Sequence, residues 1–238
     1  MENLKYYTSA MIAGKDPQIK INYIKNMNKT KKDKIDWADY TWNPITGCAN
    51  NCTYCYAKGI CSRFHKQWEK KPHELINAKL DKPFDPKLWP DRLKEKMPKK
   101  PSKIFIGSMA GMFESQIPNC EIENILKVVR NNPQHTFQFL TKNPKRYLDF
   151  DFPENCWLGT TVDYPNQDRV NWLKKKNNYK FISFEPLLDD MSGLDISDIN
   201  LVIIGAMTGR GSTVPKKEWI NSIRHPNIIY KNNIKKYL

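Results

Sequence analysis

The sequence predicts an α/β fold built on a parallel sheet of about six strands. Short apolar runs recur along the chain and alternate with segments that carry apolar residues at helical spacing. Continuous apolar runs are typical of strands buried on both faces, as in a parallel sheet covered by helices. The chain has 238 residues, which is enough for one well-buried domain. We therefore expect one α/β domain with right-handed crossovers between its strands.

Six runs are predicted to be strands: KIFIGSM (103–109), TFQFLTK (136–142), CWLGTTVD (156–163), KFISFEP (180–186), LVIIGAM (201–207) and NIIYK (227–231). Four segments between or after them are predicted to be helices: 86–97, 117–132, 165–178 and 214–224. Clear patterning starts at IDWADYTWNPITGC (35–48). The predicted division is a basic N-terminal extension, 1–36, followed by the α/β domain, 37–238.

Polar or small residues follow most of the predicted strands where each strand ends. They are Ser108, Thr141 and Lys142, Thr160 and Thr161 with Asp163, Ser183 with Glu185, and Gly205. The carboxyl ends of parallel strands meet at one edge of a sheet, so we expect these residues to form the mouth of a site there. The alternative is that each is an ordinary turn or helix-capping residue.

Three cysteines occur close together with the spacing C-x-x-x-C-x-x-C: Cys48, Cys52 and Cys55. Thiolates are ligands for zinc and for iron–sulfur clusters. A structural zinc site needs a fourth ligand, and the nearest spare candidates are Cys61, His65 and His73. A four-iron cluster held by only three cysteines leaves one iron open, where a substrate or cofactor can bind.

The cysteine spacing, with an aromatic residue before the last cysteine, resembles the signature of the radical S-adenosylmethionine (radical SAM) superfamily. Further blocks resemble a narrower family of three-cysteine phage and prophage proteins of unknown function: TWNPITGC (41–48), CTYCYA (52–57), PQHTFQFLTKNPKR (133–146), WLGTTVD (157–163) and SFEPLL (183–188). This resemblance covers about residues 35–231. It implies that the α/β domain is a partial (β/α) TIM-like barrel of radical SAM type.

The resemblance also implies a chemistry and a set of site residues. The three cysteines would hold a [4Fe-4S] cluster whose open iron binds S-adenosylmethionine. One electron from a flavodoxin- or ferredoxin-like donor would cleave this cofactor and give a 5′-deoxyadenosyl radical. Cofactor contacts are expected from Ser108, Lys142, Thr161 and Glu185, with Tyr54 packed beside the cluster and Asn43 bonded to loop backbone. The remaining cysteines, Cys61, Cys120 and Cys156, receive no role, and inert packing is expected of Cys120 and Cys156.

The chain departs from the relatives' pattern in several places. Many relatives have a longer gap between the first two cysteines, whereas this chain has the three-residue gap of mainstream radical SAM enzymes. In SMAGMFES (108–115), Gly111 stands where relatives tend to have an acid, and Glu114 and Ser115 stand where they tend to have His-Glu. Met207, in GAMTG (205–209), stands where they tend to have a glutamate. All three cysteines are present, so we expect the cluster chemistry to be shared and the substrate to differ.

The chain carries a formal net charge of +14, which favours a polyanionic partner such as a nucleic acid. Seven lysines lie between Lys15 and Lys34 and can form a phosphate-gripping arm. The opposing observation is that only seven of the 39 basic residues are arginine, the better reader of phosphates and bases.

The function expected is radical modification or repair of a nucleic acid or nucleotide. The alternatives are a radical SAM enzyme for a peptide or small metabolite, and a non-catalytic iron–sulfur or zinc module that binds nucleic acid. No apolar run of membrane-spanning length and no secretory signal is present in the sequence, so a cytoplasmic location and no membrane partner are expected.

Overall fold

The computed structural model describes residues 27–30, 35–71, 73–76, 82–209 and 211–238. Its strands are β1 (Asn28–Lys29), β2 (Tyr40–Trp42), β3 (Ile45–Thr46), β4 (Glu74–Leu75), β5 (Lys87–Leu88), β6 (Lys103–Ile106), β7 (Thr136–Thr141), β8 (Cys156–Thr161), β9 (Tyr179–Phe184), β10 (Leu201–Ile204) and β11 (Ile228–Tyr230). Its α-helices are α1 (Tyr56–Trp68), α2 (Asn119–Arg130), α3 (Gln167–Lys174) and α4 (Lys217–Ser222). Its 3-10 helices are Pro90–Lys94, Pro144–Asp149 and Lys235–Tyr237.

The main sheet has the strand order β1-β2-β6-β7-β8-β9-β10-β11. All pairs from β2 to β11 are parallel, and β1 adds to the edge of β2 in the antiparallel sense. The six predicted strands correspond to β6–β11, so the mixed α/β fold with a largely parallel sheet is confirmed. In the described ranges the sheet is open, because its edges β1 and β11 do not pair with each other. A small antiparallel sheet, β3-β5-β4, lies beside it.

The basic N-terminal extension is described only in part. Most of it, including the lysine-rich stretches within 1–26 and 31–34, lies outside the described residues. Its residues Asn28 and Lys29 form β1, and Met27 is buried in the core.

Three of the four predicted helices are present as α2, α3 and α4, within the predicted ranges. The helix predicted over 86–97 is wrong, because this segment forms β5 and the short 3-10 helix Pro90–Lys94. Pro90 explains the difference, since proline donates no backbone hydrogen bond and disfavours the helical conformation in the residue before it. Helix α1 was not predicted. None of the helices in the described ranges is long and apolar enough to cross a membrane.

The two faces of the main sheet carry separate apolar clusters. The larger cluster joins one face to the helices and includes Ile104, Phe137 and Leu158 from the strands with Ile125 and Val129 from α2. Alternation along each strand places the other set of side chains on the opposite face. That second cluster contains Trp37, Ala38, Phe105, Phe181, Leu201 and Ile203.

The second face is concave. The Trp37 ring lies 4.6 Å from the ring of Phe105 on β6 and 5.7 Å from that of Phe181 on β9. In a flat sheet, strands three places apart would be separated by about 14 Å, too far for one side chain to touch both rings. The sheet therefore curls around Trp37, which closes the concave face toward the amino ends of the strands. The carboxyl ends remain as the entrance.

Candidate functional site

The three cysteines lie in a loop, residues 47–55 (the cysteine loop), that is fixed at the carboxyl edge of the sheet. The Gly47 N–H donates to the carbonyl of Met109 at 2.8 Å, and the Gly111 N–H donates back to Gly47 at 3.0 Å. Gly47 has a φ of +93°, and a Cβ there would lie 2.2 Å from the carbonyl oxygen of Asp85. Glycine is therefore required at the entrance of the loop.

The three thiols belong to one short loop and are partly shielded from water, and Cys48 and Cys55 pack against the same small apolar cluster. Burial, with smaller contributions from Glu114 and the other two thiols, raises the pKa of the Cys48 thiol to about 11. The Cys48 Sγ accepts the backbone N–H of Asn50 at 3.4 Å. The Cys55 Sγ caps α1 by accepting the Lys58 N–H at 3.4 Å.

This donor set fits a multi-iron cluster better than a single metal ion. Within the described part of the chain, no three Cys, His, Asp or Glu side chains are arranged to hold one metal ion. Zinc needs four ligands about 2.3 Å or less from the same atom. In a four-iron cluster each cysteine binds a different iron, so three thiols can lie further apart. Cys61, the fourth ligand of the single-zinc alternative, is buried with Ala57 and Phe84 in a small apolar cluster against which Cys48 and Cys55 pack.

Asn43, which directly follows β2, fixes the backbone beside the cysteine loop. Its Oδ1 accepts the Met109 N–H at 2.9 Å and the Ser108 hydroxyl at 3.1 Å. The Ser108 carbonyl in turn accepts the hydroxyl of Tyr56 from the first turn of α1. Asn43 and Ser108 thus lie together at the carboxyl edge. Their hydrogen bonds stabilise the segment 108–111, whose backbone bonds to Gly47.

Asp163 connects the cysteine loop to the sheet. Its Oδ2 accepts the Tyr54 hydroxyl at 2.6 Å and the Lys142 ammonium at 2.6 Å, and its Oδ1 accepts the Arg169 guanidinium at 2.9 Å. Lys142 also bonds to the Tyr54 hydroxyl. Burial alone would raise the pKa of Asp163, but the bonds from Lys142 and Tyr54 lower it to about 2. The carboxylate is therefore ionised. It joins Tyr54, in the cysteine loop, to the carboxyl ends of strands β7 and β8.

A second ion pair lies further along the same edge. Lys231, just after β11, pairs with Glu185, just after β9. Gly205 lies between them, where a Cβ would approach both side chains to about 3 Å. Burial raises the pKa of Glu185, and Lys231 offsets this only in part.

The structure thus brings the predicted site residues to one edge, with differences in detail. Thr161 is buried beside the edge, whereas Thr160 turns away and donates to the Thr141 carbonyl at 3.0 Å. Sequence reasoning missed Arg169, Lys231 and Tyr56. Among these, only Tyr56 gave a signal, as the aromatic residue that directly follows the last cysteine.

The two remaining cysteines lie outside the cysteine loop. Cys156 begins β8 and is buried, as expected. The packing expected of Cys120 is wrong, because the first turn of α2 leaves its side chain exposed.

Residues 32–231 match a protein family described as "Protein of unknown function (DUF5131)". The chain belongs to this family. The match covers the main sheet from β2 to β11 and the whole cysteine loop, so the DUF5131 region carries the complete candidate site. No curated protein matches the sequence.

The fold of this DUF5131 protein is similar to that of spore photoproduct lyase. A structure of the lyase complexed with dinucleoside spore photoproduct matches with a TM-score of 0.51 and 11% identity over 78% of this chain and 59% of that chain. A mutant with the same dinucleoside gives 0.49 at 11% identity, over 84% and 62%. A mutant with bound AdoMet and the dinucleoside gives 0.48 at 11% identity, over 79% and 60%. The chain therefore spans about three fifths of the length of these lyase chains.

Proposed function

We propose that this protein is a radical SAM enzyme that modifies or repairs a nucleic acid or nucleotide. The observation that carries the proposal is the position of the cysteine loop. Three thiols of one short loop, in the spacing of the radical SAM signature, lie at the carboxyl edge of a curved parallel sheet, where α/β proteins of this kind place their chemistry. A [4Fe-4S] cluster held by Cys48, Cys52 and Cys55 would supply the electron that splits S-adenosylmethionine into methionine and a 5′-deoxyadenosyl radical.

The residues at the entrance can bind such a cofactor by ordinary charge and hydrogen-bond complementarity. Lys142 gives bonds to Asp163 and Tyr54, and an ammonium has three donors, so one is left for the cofactor's carboxylate. Glu185 can accept ribose hydroxyls, with Lys231 holding the carboxylate in place. Thr161 adds a hydroxyl between these two positions. The apolar closure at Trp37 would keep water from reaching the radical through the amino ends of the strands.

A nucleic acid or nucleotide is the proposed substrate class. The net charge of +14 supports it, because a basic protein attracts polyanions. The likeness in fold to a lyase that is complexed with a dinucleoside supports the same class. A base inside a duplex would first have to leave the stack to reach the concave face. A peptide or small metabolite is the alternative substrate, and a non-catalytic nucleic-acid-binding module is the alternative to an enzyme.

The proposal is tested by anaerobic reconstitution with iron and sulfide, followed by an assay of 5′-deoxyadenosine with dithionite and S-adenosylmethionine. We expect turnover in the wild type and none in Cys52→Ala. Cys120→Ala is the matched control and should behave as the wild type, since Cys120 is exposed and lies outside the cysteine loop. Cofactor cleavage by Cys52→Ala, or none by the wild type, would refute the proposal. Stimulation by oligonucleotides, and not by peptides, would support the substrate class.

A further inference from the structure

Two asparagines between the first two cysteines are each bonded to a residue outside the cysteine loop. The Asn50 Nδ2 donates to the Oε1 of Glu114 at 2.7 Å. The Asn51 Oδ1 accepts the ammonium of Lys58 from α1. Asn51 has a φ of +47°, a left-handed conformation that asparagine adopts more readily than most residues. The shape of this part of the loop is therefore set in part by two side-chain contacts.

Glu114 is the rigid partner in the first of these contacts. Its backbone N–H donates to the Gly111 carbonyl at 3.2 Å, and its carbonyl accepts the Ile117 N–H at 3.0 Å and the Arg146 guanidinium at 2.9 Å. The preceding residue, Phe113, is completely buried. Asn50, by contrast, is exposed in a loop. The bond therefore restrains Asn50 more than it restrains Glu114.

The restraint on Asn50 extends to the first cysteine. The backbone N–H of Asn50 donates to the Cys48 Sγ at 3.4 Å. A Cβ at Gly111 would lie 2.5 Å from the Cys48 Sγ and 2.8 Å from the Glu114 Cγ, so Cys48 and Glu114 are neighbours across Gly111. Hydrogen bonds to cysteine sulfurs affect the electronic properties of an iron–sulfur cluster. A residue that fixes Asn50 therefore acts on the sulfur of Cys48.

We propose that Glu114 is a positioning residue for the first cysteine. Its carboxylate holds the Asn50 side-chain amide, and Asn50 directs its backbone N–H to the Cys48 sulfur. What this sulfur binds rests on the proposed function, whereas the hold on the loop does not. Glu114 acts only through Asn50 and takes no part in the chemistry.

The position of this bond favours a local role over a role in folding. The bond is exposed, so it competes with water and adds little to the free energy of unfolding of the whole chain. Its effect is to reduce the local opening of the loop that carries Cys48. An ionised carboxylate suits this role, because it only accepts hydrogen bonds and the Asn50 amide supplies the donor.

The first test needs no metal and follows amide hydrogen exchange of residues 47–55 in the metal-free full chain by mass spectrometry. We expect exchange to be about 3- to 10-fold faster in Glu114→Ala and in Asn50→Ala, since each removes the same bond. Glu114→Gln keeps an acceptor oxygen and should stay within about 2-fold of the wild type. Glu123→Ala is the matched control, because it removes another half-buried glutamate, bonded to Arg130 at 3.1 Å. The urea midpoint should be the same in every variant.

The second test uses the reconstituted protein and measures how fast a chelator removes its iron. Iron loss should be about 3- to 10-fold faster in Glu114→Ala and in Asn50→Ala, and no faster in the double variant than in either single variant. The electron paramagnetic resonance spectrum of the reduced cluster should change in Asn50→Ala, because the bond to the Cys48 sulfur is disturbed. It should stay the same in Glu123→Ala. A role in folding alone would move neither readout at an unchanged urea midpoint.

The two tests separate failure of this proposal from failure of the proposed function. A wild-type chain that assembles no cluster would refute the proposed function, whereas hydrogen exchange would still decide the role of Glu114. Unchanged exchange in Glu114→Ala, or an equal change in Glu123→Ala, would overturn the positioning role. Additive losses in the double variant would also overturn it, because Glu114 and Asn50 would then act independently.

Discussion

Asp163 shows how much the site depends on one side chain. Its carboxylate receives bonds from Tyr54 in the cysteine loop, Lys142 after β7 and Arg169 in α3. Tyr54 lies 109 positions away in sequence, so this contact depends on the whole order of strands between them. Sequence reasoning therefore selected Asp163, Tyr54 and Lys142 separately and could not pair them.

The first prediction is that Asp163→Asn destabilises the protein at neutral pH by about 2–4 kcal/mol, since it leaves buried cations without their carboxylate. The exposed carboxylate of Asp149, 3.0 Å from Arg146, provides the control, and Asp149→Asn should cost less than about 1 kcal/mol, because Arg146 keeps its bonds to the Glu114 and Ile117 carbonyls. Urea unfolding measures both. Equal costs in the two variants would contradict the structural role of Asp163.

The same residue gives a pH prediction. The pKa of Asp163 is lowered to about 2 in the folded protein, against about 3.9 in an unfolded chain. Its stabilisation is therefore complete above about pH 5 and is lost as the pH falls toward 2. The difference corresponds to about 2.5 kcal/mol. Unfolding of the wild type should show this loss between pH 5 and 2, and Asp163→Asn should lack that share of the acid sensitivity. An unchanged acid slope in the variant would contradict the assignment.

Gly111 gives a physical reason for a departure from the relatives' sequences. A Cβ at this position would lie 2.5 Å from the Cys48 Sγ and 2.8 Å from the Glu114 Cγ. The acid that relatives tend to carry here would therefore displace the first cysteine in this chain.

We predict that Gly111→Ala lowers the iron bound per chain after reconstitution, because Cys48 has to move. Gly193→Ala is the control, since nothing lies within 4 Å of a Cβ at that position. Iron and sulfide analysis of both variants measures the effect. Full iron content in Gly111→Ala would show that Cys48 tolerates the shift or is not a ligand.

At the scale of elements, the sequence predicted the strands better than the helices. Strands β6–β10 are buried on both faces, so their sequences are nearly continuous apolar runs, which are typical of parallel strands. Helix α1 was missed because its interior contains Gly59 and Ser62, and it buries only Ala57 and Cys61. The false helix at 86–97 had apolar spacing, but Pro90 overrode it.

Two glycine substitutions test these elements in opposite directions. Gly59→Ala should stabilise the protein by about 0.5–1 kcal/mol, because alanine favours the helix and nothing lies within 4 Å of the new Cβ. Gly159→Ala should destabilise it by about 1–3 kcal/mol, since the Cβ would meet the Phe181 ring at 2.4 Å. Thermal or urea unfolding distinguishes them. The same sign of change in both would contradict the packing of α1 or of the concave face.

At the scale of the whole molecule, the lysines that are expected to bind phosphates lie ahead of the residues that form the candidate site. Within the described residues, Asn28 and Lys29 already belong to the main sheet, the Thr30 N–H bonds to the Asp39 carbonyl at 2.9 Å, and Met27 is buried. The division at residue 36 rested on composition and stays a prediction.

Removal of residues 1–26 tests the nucleic-acid arm without removing β1. We predict that the shortened chain folds and holds its cluster but binds DNA or RNA more weakly, because Lys15, Lys20 and Lys25 are lost. Each lost phosphate contact should reduce the slope of log K against log salt by about 0.7–0.9. A salt titration of oligonucleotide binding measures this. No binding by the full chain even at about 50 mM salt would remove nucleic acid as the substrate and leave the peptide or small-metabolite alternative.

The central claim is that Cys48, Cys52 and Cys55 hold a four-iron cluster with one iron open to S-adenosylmethionine. The most direct measurement is the electron paramagnetic resonance spectrum of the reduced, reconstituted protein before and after this cofactor is added, with iron analysis of the same sample. We predict about four irons per chain and a cluster signal that changes when the cofactor binds the open iron. A protein that carries one zinc and no iron, or a cluster signal that the cofactor leaves unchanged, would contradict the account.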